Sequence, residues 1–130
     1  MEKFTVSLSA DSATELLQQA ILGFPMGLVA HINGQANAAK RGVIVPADQI
    51  LEVFRPDFAV RVWQADKTAG IDIPLRIHVY EQGGKTHVAY RTPTEVFARY
   101  ENAQLNEIAA ELETIFKKII SELDSYKEVS

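Results

Sequence analysis

The chain has 130 residues, 13 Lys and Arg against 17 Asp and Glu, and a formal net charge of -4. A chain of this length forms one domain, residues 1–130, and can bury roughly 65–70% of its unfolded surface in a single core. Hydrophobic residues at 47% and charged residues at 23% exclude a disordered chain, a collagen-like repeat and a coiled-coil rod. With no Cys, disulfides, thiolate zinc sites, iron–sulfur clusters and a cysteine nucleophile are excluded, and a reducing compartment is consistent. The N-terminal residues alternate apolar and polar and form no export signal. The longest apolar stretch, Ala20 to Ala30, is broken by Gly23, Pro25 and Gly27 and cannot span a bilayer. The expectation is a cytoplasmic protein with no membrane partner. Residues 1–100 are neutral overall, so the acidic excess lies on the last 30. That imbalance and a sequence pI near 5.3 argue against a nucleic acid or an anionic membrane as partner.

Phe4, Val6 and Leu8 alternate with Thr5, Ser7 and Ser9, the period of a strand with one buried face. Ser12-Ala13-Thr14-Glu15 reads as a capping box, opening a helix whose stripe is Leu16, Leu17, Ala20, Ile21 and Phe24. A second strand is expected from Gly27 to Ile32, with Leu28, Ala30 and Ile32 on one face. Asn33 caps a short helix from Gly34 to Lys40. A third strand is expected from Ile50 to Phe54. The stretch from Pro56 to Ala65 combines strand-forming Val with Pro56 at a first-turn position and i,i+4 pairs Phe58/Val62 and Ala59/Trp63; we read it as a helix.

Leu75 to Arg91 reads as a hairpin closed by Gly83-Gly84. That turn pairs Gln82 with Lys85, which sets Val79 opposite Val88 and Ile77 opposite Tyr90 on an apolar face. On the polar face it sets His78 opposite Ala89, Tyr80 opposite His87 and Arg76 opposite Arg91. Asn102 then caps a last helix to about Leu123, with a stripe through Leu105, Ile108, Leu112, Ile115, Phe116, Ile119 and Leu123. The sheet or a second chain must cover that stripe. The result is one α+β domain, a mostly antiparallel sheet with helices packed on one face.

Arg76, His78, Tyr80, His87 and Arg91 form a cationic, hydrogen-bonding patch able to hold an anion, with Arg supplying bidentate geometry. A polar face turned to water is the plain alternative. His31, His78 and His87 lack a metal-ligand spacing, and no metal or other cofactor is expected. Asp66 and Asp72, in the loop before Pro74, are the loop candidates for an acid and base working with His78 in a hydrolase-like site. They also suit turns. No nucleophile motif, dinucleotide fingerprint or phosphate loop is present, so no residue is assigned as catalytic.

The runs Ile32-Asn33-Gly34-Gln35-Ala36-Asn37-Ala38, Pro46 through Pro56, Gln64-Ala65-Asp66 and Ile71-Asp72-Ile73-Pro74-Leu75 together resemble the domain of unknown function 302 family. The resemblance implies a β-α-β(4)-α domain with a shape like that of the TATA-box-binding protein, often a homodimer, with no established activity. Many members carry Asp-His where this chain has Asn33-Gly34. The leading expectation is a non-enzymatic or unassigned cytosolic domain that binds a small anionic or amphipathic molecule. The alternatives are the hydrolase-like site and an interaction module acting through the acidic last helix.

Overall fold

The computed structural model describes residues 1–129. Five strands form one sheet: β1 (Glu2–Val6), β2 (Leu28–Asn33), β3 (Asp48–Val53), β4 (Leu75–Gln82) and β5 (Lys85–Tyr90). Their spatial order is β1-β5-β4-β3-β2, and every neighbouring pair is antiparallel. Helix α1 (Ala10–Gly23) follows β1, and α2 (Gly34–Ala39) and α3 (Pro56–Ala65) lie in the next two connections. A 3₁₀ segment, Lys67–Asp72, leads into β4, and α4 (Pro93–Ala98) and α5 (Ala103–Ser121) close the chain. Four strands in succession between α1 and the last helices give the expected α+β order.

The hairpin has the expected register from Gln82↔Lys85 to Ile77↔Tyr90. Gly83 and Gly84 have φ of 62° and 73°, the left-handed pair that a two-residue type I′ turn requires and that Gly adopts without strain. The core face of the sheet carries Leu51, Val53, Leu75, Ile77, Val79 and Val88, all buried. Each such side chain contributes about 1.5–3 kcal/mol on leaving water. Side chains of α1, α3, α4 and α5 join this layer in one continuous core. The α5 stripe residues Leu105, Ile108, Leu112, Phe116, Ile119 and Leu123 are buried within the single chain, so the stripe itself gives no reason for a second one.

Three local expectations are corrected. The N-cap of α1 is Ser9, whose Oγ accepts from the Ser12 backbone N–H at 3.1 Å. Starting the helix there brings Ala10 and Ala13 into the core, which a cap at Ser12 would forfeit. Leu28 does not share a face with Ala30 and Ile32. Leu28 pairs with Val53 and Ala30 with Glu52, so Val29 is the extra residue of a bulge that reverses the faces. Arg91 lies one residue beyond β5, so its pairing with Arg76 is not made in the ladder.

A Cβ on Gly27 would lie 2.4 Å from the Phe54 carbonyl oxygen, whereas one on Gly23 would meet nothing within 4 Å. We expect Gly27→Ala to cost about 1–3 kcal/mol by forcing backbone apart. Gly23→Ala should be neutral or stabilise by no more than about 1 kcal/mol. Urea unfolding of the two variants checks the contrast.

Candidate functional site

The sheet face turned away from the helices carries Lys3 and Thr5 of β1, His87 and Ala89 of β5, Arg76, His78 and Tyr80 of β4, and Asp48, Ile50 and Glu52 of β3. The Tyr80 ring is flanked by both imidazoles, with centroids 4.6 Å from His78 and 5.2 Å from His87. His78 Nε2 lies 3.0 Å from Asp48 Oδ1. His87 Nε2 faces the Gln82 carbonyl at 3.3 Å and Nδ1 faces Thr5 Oγ1 at 3.0 Å. A carbonyl only accepts, so in the neutral ring Nε2 donates and Nδ1 accepts from the hydroxyl. The rings thus cover one another's faces, and Lys3 sits 5.8 Å above Tyr80.

Arg76 stands at one end of this row, where the sheet gives way to a cleft of about 580 Å³. The cleft lies between the segment Ile71–Pro74, the start of β4, Arg91 and helix α4, and three arginines line it: Arg76, Arg91 and Arg99. Its volume falls within the roughly 300–1,000 Å³ usual for small-molecule sites. Three carboxylates share the wall, and each has its own cation. Arg99 donates to Asp72 Oδ2 at 2.5 Å, and the Tyr100 hydroxyl donates to the same oxygen. The N-terminal ammonium of Met1 pairs with Glu95 at 2.5 Å, and Arg76 approaches Glu52 at 3.4 Å. Among the described residues Arg91 pairs with no carboxylate.

Burial pushes the Asp72 carboxyl up, but hydrogen bonds from Tyr100 and Arg99, with the charges of Arg99 and Arg91, more than offset it and hold Asp72 below its ordinary range. The same hydrogen bond to Asp72, aided by desolvation, raises the Tyr100 phenol, so it stays a neutral donor. Glu95 is lowered by its hydrogen bond to the N-terminus.

The structure therefore divides the sequence-level candidates. Arg76, His78, Tyr80 and His87 share the outer face, whereas Arg91 joins Arg76 in the cleft. Asp66 accepts from Thr68 N at 2.9 Å and Thr68 Oγ1 at 2.6 Å, capping the 3₁₀ segment. Neither loop carboxylate is a partner of His78; that position is taken by Asp48. His31 is on the other side of the sheet, in register with core-facing Leu51, and bonds Gln49 Oε1 at 2.6 Å. No group of three or more metal-ligating side chains occurs among the described residues. Arg99 and Tyr100 were not expected as site residues. Their signal is Thr92-Pro93-Thr94-Glu95, a capping box with Pro at the first helical position, which forms as such and sets the direction of α4.

An α+β domain with a five-stranded antiparallel sheet, helices on one face and a cleft at the sheet's end defines the class of protein. The chain belongs to the family described as Domain of unknown function DUF302, whose model matches residues 2–123. It is similar to an uncharacterized conserved DUF302 protein from Bacillus stearothermophilus known from its crystal structure. The two share 25% identity and a TM-score of 0.78, over 95% of this chain and 94% of that one. No protein of curated function matches. No helix is long and apolar enough to cross a membrane among the described residues.

Asp72 bonds two groups only when ionised, and its folded pKa lies below the ordinary 3.8. Its contribution to stability is therefore complete above that value and lost as pH falls through the lower folded one. Asp72→Asn should cost on the order of 1 kcal/mol at pH 7, its side chain being 22% exposed. The gap between variant and parent should narrow as pH falls below the ordinary 3.8; denaturant unfolding at pH 7 and pH 2.5 tests this, and an equal gap at both would count against it.

Proposed function

We propose that the protein binds a small molecule through a carboxylate or phosphate group in the cleft between Ile71–Pro74 and α4. The supporting observation is Arg91, a cation on the wall of a 580 Å³ cleft whose three carboxylates are already matched by other cations. Arg91 is the anchor and Arg76 flanks it. Arg76's contact with Glu52 is long, at 3.4 Å, and its side chain is 63% exposed, so a ligand oxyanion can compete for it. Asp72 and Tyr100 position Arg99. His78, Tyr80 and His87 lie further along the outer face, outside the lining of the cleft.

Charge-assisted hydrogen bonds are worth about 1.5–3 kcal/mol, so Arg91→Ala should weaken binding of inorganic phosphate or butyrate about ten- to a hundredfold by calorimetry. Lys117→Ala, outside the cleft, should leave it unchanged. Equal binding by parent and Arg91→Ala would overturn the assignment.

A second reading is favoured by the β2 edge. β1 is bridged on its free side by the C-terminal segment, with Val6 opposite Lys127 and the Ser7 N–H donating to the Tyr126 carbonyl at 2.9 Å. β2 has no strand on its free side among the described residues. It carries no Lys, Arg, Asp or Glu, and Ile32 is 38% exposed. Unpaired strand edges of this kind accept another strand, and we propose a homodimer through β2. Sedimentation velocity should give a dimer that Ile32→Lys dissociates; a parent monomer at every concentration would refute it.

A further inference from the structure

The Ile73-Pro74 segment that walls the arginine cleft on one side walls a second depression on the other. This groove, about 320 Å³, is lined by apolar side chains that include Val29, Phe54, Ala59 and Trp63. The two depressions share Ile73 and Pro74, so they adjoin across one ridge of chain. Three features shape the groove. Pro56 opens α3 at its first turn and sets Ala59 and Trp63, one turn apart, along the same side of that helix. The β2 bulge takes Val29 out of the ladder, and bulges re-aim side chains in this way. Trp63, the only tryptophan of the chain, stays 43% exposed and Val29 57%, although both are large apolar groups that burial favours. The one arginine in the groove's lining, Arg55, is held by Asp57 at 2.7 Å and by the Pro25 carbonyl at 2.8 Å, and the Lys67 ammonium stands 5.2 Å from the centroid of the Trp63 ring, so the groove offers an occupant an apolar lining with one cation beside its tryptophan.

We infer that the ligand is an amphipathic anion, with its oxyanion head on Arg91 and its apolar chain crossing Ile73-Pro74 into the Trp63 groove. This rests on the anion reading above and extends it from a head group to a whole molecule. The charge pattern selects the occupant. An uncharged apolar molecule would leave Arg91 unmatched, and a bare anion would leave Trp63 and Val29 in water. A monomeric, single-chain carboxylate or phosphate satisfies both sites at once.

Trp63 supplies its own reporter. The experiment titrates the full chain with butyrate, octanoate and decanoate, with decyl phosphate and with uncharged octanol, all below micelle formation, following Trp63 emission and heat of binding. Affinity should rise with chain length, by about two- to fourfold per added methylene, fourfold being the limit for complete burial. Decanoate should shift Trp63 emission to the blue, and butyrate should not. Decanoate and decyl phosphate together show which head is preferred. Val29→Asp, at an exposed position, should weaken decanoate at least tenfold while leaving butyrate unchanged, and Arg91→Ala should weaken both. Equal affinities for butyrate and decanoate with unmoved Trp63 emission would overturn the groove and leave the anion site standing. Octanol binding as tightly as octanoate would overturn the link between head and chain. Binding of neither butyrate nor decanoate would overturn this inference and the anion site together.

Discussion

Side chains alternate between the two faces of a strand, so whatever sets strand register also decides which residues reach the core and which reach solvent. Here the setting is done by Gly83-Gly84, whose positive φ angles close a two-residue turn. The step that buries Ile77, Val79 and Val88 turns Arg76, His78, Tyr80 and His87 outward. β3 and β1 then pair with β4 and β5 in the matching parity, which brings Asp48 to His78 and Thr5 to His87. A slip of one residue would expose the core and bury three titratable side chains. The outer face and the cleft at its end exist only in this register.

The parts legible in the sequence are those specified by local rules. Two glycines leave one pairing for the hairpin, and α5 declares itself by a stripe repeating every three or four residues behind Asn102, which caps it as expected. Other features depend on competition between distant partners. Ser9 and Ser12 are both good capping residues, and the choice falls to Ser9 because Ala10 and Ala13 have a sheet to pack on. The Val29 bulge has no signal in its own neighbours; it follows from the close approach of Gly27 to Phe54, 27 residues on, whose N–H donates to the Gly27 carbonyl at 2.9 Å. The cleft is assembled from four separate pieces of chain. Its two arginines on the hairpin were visible as a cationic patch, but Arg99 and Tyr100 enter only through the path of α4.

Charge in the cleft is arranged so that little of it is free. Asp72 is held in its ionised form by two donors, and this keeps Arg99 and Tyr100 in place without a ligand. Groups already oriented lose little freedom when a ligand arrives, the usual source of affinity in pre-formed sites. The pair Arg76–Glu52 differs in length, at 3.4 Å against 2.5 Å for Arg99–Asp72, and long surface pairs are worth little. The wall therefore combines an arginine in a short pair, one in a long pair and an unpaired one, beside a groove with an apolar lining.

The short C-terminal return along β1, ending with the Glu128 N–H donating to the Thr5 carbonyl at 2.9 Å, has a consequence for assembly. A sheet with two open edges can add copies at both ends without limit, and this is how a folded domain seeds a fibre. The end of one edge here, from Thr5 to Ser7, is covered by the chain's own tail. Joining through the β2 edge would use the same strand twice about a twofold axis, leaving only the partly covered β1 edges outward. Loss of the last few residues would uncover those edges fully.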